Sequence, residues 1–453
     1  MKNTAILATG RAMLGAVTLA AFGLAGCQSL SKLEFWKSSD NKSVASKGER
    51  IPILAPEDQL AVADALKGQT FYLPAPAAQA DWPLPGGTPE QSVEHVAAAP
   101  DLKIAWRRGL GVSGMGRSHF VTAPPIEADG LVYAMDGQAG VSAHNAKTGD
   151  QVWRVNLQSH DSRDHDAFGG GVAYANGRVF VSSGYRFVAA LDAHNGHTLW
   201  KTTTDEPVHA APTVSDGRVF VVGLDDQLYS FDAQSGAPGW NYQAIIEPAR
   251  MLAASSPAIS GDAIITAFAS GEVIAKRAAN GNDLWNQALS RSNRNSALSE
   301  IRDIAGRPVI YKGDVYAASH SGVFSAIDLR TGSPRWSLPV ASFTTPWAAG
   351  DVVYIVSQSG QLVCVSRESG GVYWIAELNG GKGGKSGTYW FGPVLADNRL
   401  ILASSKGDIQ ARDPKTGALI KTLRTGAPMM QPPIAAGGLL YVVNEKAELV
   451  AIR

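Results

Sequence analysis

The chain has little of three things. It has only two cysteines, Cys27 and Cys364, in 453 residues. Exported proteins that staple their fold use cysteines in pairs, and here the two sit in unlike contexts, so no disulfide is expected. It also has no net charge: lysine plus arginine number 40 and aspartate plus glutamate number 40. That balance gives no support for nucleic-acid binding, which needs a basic face to neutralise phosphates. Finally, no apolar run approaches the roughly 20 residues that a membrane-spanning helix needs. What the chain does have is glycine, 48 residues of it, as a fold with many tight turns requires.

The first 26 residues read as an export signal. Lys2 and Arg11 supply positive charge and Met13 to Leu24 a short apolar stretch, too short to span a bilayer. The segment ends Leu24-Ala25-Gly26-Cys27, which resembles the bacterial lipoprotein box. That resemblance implies cleavage before Cys27 and acylation of its sulfur. Gln28 in place of aspartate implies, by likeness to Gram-negative lipoproteins, sorting to the outer membrane. Residues 27–100 are expected to form a tether or extended arm. Pro74, Pro76, Pro83 and Pro85 exclude it from a helix or a central strand. Its aromatics Phe71, Tyr72 and Trp82 are candidates to pack on the folded body; a mobile linker with incidental aromatics is the other reading.

Internal repetition dominates residues 101–453. The unit Asp328-Leu329-Arg330-Thr331-Gly332-Ser333-Pro334-Arg335-Trp336 recurs in type as Asn145…Thr148-Gly149…Trp153, Asp192…Gly196…Trp200 and Asp232…Gly236…Trp240. It recurs again as Asn280-Gly281…Trp285 and Ser369-Gly370…Trp374. In Asp413…Thr416-Gly417 the tryptophan is lost, and Ile420 is taken as its equivalent. Period-two segments such as Val323-Phe324-Ser325-Ala326-Ile327 precede each unit and read as half-buried strands separated by turns. Each repeat therefore offers about four antiparallel strands. One such sheet cannot bury both faces, but copies packed around an axis can. The tryptophans at 106, 153, 200, 240, 285, 336 and 374 lie roughly 40–50 residues apart, as blades do. They are read as blade-docking core residues. The last repeat stops before its tryptophan, and Lys103-Ile104-Ala105-Trp106 stands unused before the first. The expected fold is all-β: an eight-bladed propeller closed by pairing the N-terminal strand with the last blade.

Chemistry is sparse. His160-Asp161-Ser162-Arg163-Asp164-His165-Asp166 holds metal-ligand types in one loop without recurring spacing and reads as a solvated loop. Gly380-Gly381-Lys382-Gly383-Gly384-Lys385-Ser386 imitates a phosphate loop, but Asn379 stands where the first glycine belongs and no helix follows. Cys364 sits in an alternating strand and reads as inert core. No catalytic residue, metal site or cofactor is assigned.

The docking pattern resembles the repeats of quinone-dependent alcohol dehydrogenases. Those enzymes bind pyrroloquinoline quinone and calcium, often beside adjacent cysteines, which this chain lacks; a periplasmic quinoprotein-like dehydrogenase is kept as the alternative. With the lipoprotein box and eight blades, the chain is similar to the BamB family, lipoprotein subunits of the machine that folds β-barrels into the outer membrane. That resemblance implies a non-enzymatic scaffold, anchored in the outer membrane and facing the periplasm. It implies that the POTRA domains of BamA and other subunits are partners, with nascent outer-membrane proteins as possible clients. A family loop before a blade proline, anchored here on Pro257, aligns with Ala249 to Ser255 and implies Arg250, Met251 and Leu252 as partner-binding. A second family loop carries two aspartates; anchored on Pro308, it implies Asp303, with Ala305 at the second position and Arg307 beside it. Another lipoprotein propeller that binds a polysaccharide or a different protein is the third reading.

Overall fold

The structure, a computed structural model, describes residues 60–111, 121–159, 161, 164, 167–247, 255–289, 303–379 and 387–453. The expected export signal, Cys27, the segment with Arg250, Met251 and Leu252, and the glycine-rich run after Asn379 lie outside the described residues. Pro56–Arg453 is one compact unit.

Among the described residues, thirty-two strands form eight four-stranded antiparallel sheets. Blade 1 runs from Ile126–Ala128 to Gln151–Asn156 and blade 2 from Gly170–Ala175 to Thr198–Thr203. Blade 3 runs from Thr213–Ser215 to Pro238–Gln243, and blade 4 from Ala258–Ser260 to Asp283–Ala288. Blade 5 runs from Val309–Tyr311 to Pro334–Leu338, blade 6 from Trp347–Ala349 to Val372–Glu377, and blade 7 from Trp390–Ala396 to Leu419–Arg424. Blade 8 takes three strands from Ile434–Ala436, Leu439–Val443 and Glu448–Ile452, and its fourth from Ile104–Gly109. The borrowed strand pairs Trp106 with Ala451 and Gly109 with Glu448, so the ring closes as the sequence implies. First strands of neighbouring blades touch one another, which places them around the axis and the fourth strands outside. Among the described residues there is no α-helix; Asp64–Leu66 is a 3-10 turn.

Blade-to-blade docking explains the repeat. Each tryptophan on a fourth strand lies against the next blade's turn between strands three and four. Its indole N–H donates to a carbonyl there: Trp153 to Ala193 at 2.8 Å, Trp285 to Leu329 at 2.8 Å, Trp106 to Ala146 at 3.2 Å. The turn's aspartate holds the backbone, as where Asp192 Oδ1 accepts from the N–H of His194 and Asn195. The turn's glycine must be glycine on two counts. At Gly196 φ is +75°, and an added Cβ would stand 2.7 Å from the Trp153 ring. A second-strand aromatic completes the wedge in all blades but the fourth and seventh, such as Tyr133 tilted against Trp153 at 6.0 Å.

Two joints depart from this rule. At the joint of blades 6 and 7, Trp374 Nε1 is buried without an acceptor, and the carbonyl of Pro414 is taken by the Tyr354 hydroxyl at 2.9 Å. At the joint of blades 7 and 8 the register corrects the sequence reading. Ala411 pairs with Lys421, as Ala143 pairs with Trp153, so Lys421 and not the exposed Ile420 stands in the tryptophan position. Lys421 Nζ donates to the carbonyl of Asp101 at 2.7 Å, and the adjoining turn carries Leu102 at φ +47° where the other blades carry glycine. With no indole docked there, a side chain fits.

Candidate functional site

The first strands of most blades are three residues long and leave backbone groups unpaired on the axis side. Such groups need partners when water is excluded. Residues 77–99 supply them. Trp82 exchanges backbone hydrogen bonds with Glu127 of blade 1, and Pro83 O accepts from Tyr174 N of blade 2. Gln91 Nε2 donates to Thr213 Oγ1 of blade 3 at 3.2 Å. The carbonyls of Pro89 and Glu90 accept from Ile259 and Ile310 of blades 4 and 5 at 2.7 and 2.9 Å. Glu94 O accepts from the Trp347 indole of blade 6 at 3.0 Å. Val96 bridges Ala396 of blade 7, and Gln79 O accepts from Gly437 of blade 8. The arm thus touches all eight blades at the end carrying the first-to-second-strand turns. Of its aromatics, Trp82 is buried and stacked on Trp347 with centroids 6.3 Å apart, and Phe71 is buried against Tyr373 at 4.7 Å. Tyr72 remains exposed.

Above the arm lies an axial cavity of about 450 Å³. Trp82, Pro85, Gly86 and Gln91 form its floor, and the residues entering each first strand form its walls. Its other end is framed by the connections that run from the fourth strand of one blade to the first strand of the next. These connections carry the chain's unusual surface. Ile245 and Ile246, directly after blade 3, are 63% and 56% exposed. Tyr389, before blade 7, is 51% exposed and packs edge-on against Phe343 at 5.9 Å, which in turn meets Phe391 at 5.8 Å.

The sequence-derived contact residues belong to these same connections: Arg250, Met251 and Leu252 between blades 3 and 4, Asp303 and Arg307 between blades 4 and 5. Asp303 is buried, and its carbonyl accepts from His320 N at 2.8 Å. Arg307 lines the axial cavity. Its Nε is buried without an acceptor, and burial alone lowers its pKa to about 10. The structure therefore brings Arg307 to the axis and sets Asp303 beneath the surface. Sequence reasoning missed Ile245, Ile246, Phe343, Tyr389 and Phe391; the signal was apolar side chains in segments that turn chemistry would fill with polar ones.

The remaining candidates resolve into structure. Within the acidic loop Asp164 is buried, not solvated, and accepts from Arg186 Nε at 2.7 Å, with Asp161 3.7 Å from the same guanidinium. Arg186 holds the Asp164 carboxyl below its usual range against the opposing effect of burial. Cys364 is fully buried, and burial pushes its thiol well up, so it is held as the unreactive thiol. Two carboxyls are forced the other way. Glu127, beneath the arm, is raised to about 7 by burial and then by Asp81; Glu445 is raised to about 7 by burial. Among the described residues no group of three or more His, Cys, Asp or Glu is placed to hold a metal ion.

Comparison with known proteins agrees with this architecture. A family model described as outer membrane protein assembly factor BamB matches residues 137–376. The BamB of Salmonella typhimurium is 27% identical over 367 residues, 79% of this chain and 92% of that one. The BamB of Escherichia coli is 26% identical over 373 residues, 80% and 93% of the two chains. The crystal structure of BamB from Moraxella catarrhalis superposes with a TM-score of 0.62 at 18% identity, over 77% of this chain and 97% of that one. A europium-containing methanol dehydrogenase shares the fold at 14% identity with a TM-score of 0.66, over 82% and 89%. The matched family model spans more than half of the sequence, and the chain belongs to the family of the outer membrane protein assembly factor BamB.

Proposed function

We propose that this chain is a non-catalytic scaffold of outer-membrane protein assembly, anchored through an acylated Cys27 and facing the periplasm. It docks on the POTRA domains of BamA, and through them serves nascent outer-membrane proteins. In this reading residues 1–26 are the export signal, the stretch from Cys27 leads from the membrane, and residues 101–453 form the propeller. The observation that carries the reading is the asymmetry of the two ring ends. One is covered by the arm, hydrogen-bonded to every blade. The other presents the exposed Ile245, Ile246 and Tyr389, the last set on the half-buried Phe343, the kind of apolar and aromatic anchors that interface centres use. The names carried by the relatives supply the assembly role.

Ile245→Asp combined with Ile246→Asp puts charge into that face at two exposed positions. Capture of the BamA POTRA region by the variant is expected to fall at least tenfold, with an unchanged melting temperature. Undiminished capture would remove this face as the docking surface.

A further inference from the structure

We propose that the axial cavity is a binding site for a small anion with an aromatic or branched apolar body, its carboxylate held by Arg307. The inference concerns this chain's own interior and stands apart from the docking reading above.

Three observations lead there. First, the cavity's shape is that of a ligand site: about 450 Å³, with a floor made by the arm, within the range of small-molecule pockets. Second, its lining is mainly apolar, with the rings of Trp82, Trp347, Phe168 and Phe391 in it; flat rings are suited to receive a flat body. Third, its charge is uncompensated. Among the described residues the lining holds no carboxylate, and Arg307 is its one permanently charged group. The Arg307 backbone N–H is satisfied by Thr345 Oγ1 at 3.2 Å, while Nε is buried with no acceptor. Guanidinium stays charged in proteins and presents a planar fork that matches a carboxylate. A buried guanidinium N–H left without an acceptor is costly unless something brings one. Gln91, whose Oε1 is also buried and unpartnered, adds a hydrogen-bond acceptor at the floor and favours a ligand with a donor at its far end.

Calorimetry on the purified full-length chain tests this with three probes: 1-naphthoate, its neutral isostere 1-naphthamide, and inorganic phosphate. The expected result is 1-naphthoate binding at least tenfold tighter than either of the others. Arg307→Met should remove that preference, and Arg307→Lys should restore part of it. The comparison of probes on the unaltered chain needs no variant to fold. Equal binding of the amide, equal binding of phosphate, or no binding of 1-naphthoate at millimolar concentration would each overturn the proposal, as would an undiminished preference in a folded Arg307→Met chain.

Discussion

Gly177 and Gly196 sit at nearly the same backbone angle, φ +73° and +75°, yet their surroundings differ. Around Gly177 there is nothing within 4 Å of an added Cβ; at Gly196 the Trp153 ring stands 2.7 Å away. Gly177→Ala should therefore lose about 1 kcal/mol, the left-handed backbone strain alone. Gly196→Ala adds displacement of a buried indole and should lose about 3 kcal/mol. Denaturant melts of the pair measure the worth of one docking joint. Glu127 gives a second test at this scale. Its folded pKa is raised above the unfolded value, so the folded state holds a proton that the unfolded state releases. Stability should then fall as pH rises from about 4.5 to about 7, and the penalty persists above that. Glu127→Gln should stabilise the chain at pH 8 by up to about 3 kcal/mol, with little gain at pH 4. Equal effects at both pH values would deny the buried carboxyl its role.

The blade is the element that the sequence spells out most fully. Asp-to-Thr-Gly-to-Trp encodes a turn whose hydrogen bonds are local, and period-two strands encode their own faces. Side-chain chemistry alone therefore reveals the repeat, including the split last blade. The joint of blades 7 and 8 was misread because hydrophobicity pointed to Ile420, whereas position is set by register from Gly417 and falls on Lys421. The arm was half legible. Its prolines excluded helix, but its attachment to all eight blades runs largely through backbone groups, which leave no periodic side-chain pattern to read. Of the expected contact residues, Asp303 lies buried and Arg307 lines the axial cavity, while Tyr389 and Phe343, far apart in sequence, meet only after folding. Trp82 is where the arm can be tested. It is buried, stacked on Trp347 and part of the cavity floor. Trp82→Ala should lose about 3–5 kcal/mol and speed exchange of the first-strand amides. Loss of less than about 1 kcal/mol in a urea melt would mean that the arm only rests on the ring.

At the scale of the whole molecule, the ring is closed and the arm covers one axial end, bonded to every blade. Closure hides sheet edges around the axis, the arm occupies one end, and apolar contacts collect at the other. The direct measurement is site-specific photocrosslinking in cells, with the photoreactive residue at the exposed Ile246 on the end opposite the arm or at Asp216 in a first-to-second-strand turn on the covered end. The account predicts adducts with the POTRA region of BamA from position 246 and none from position 216. Adducts from position 216 alone, or from neither position, would contradict it.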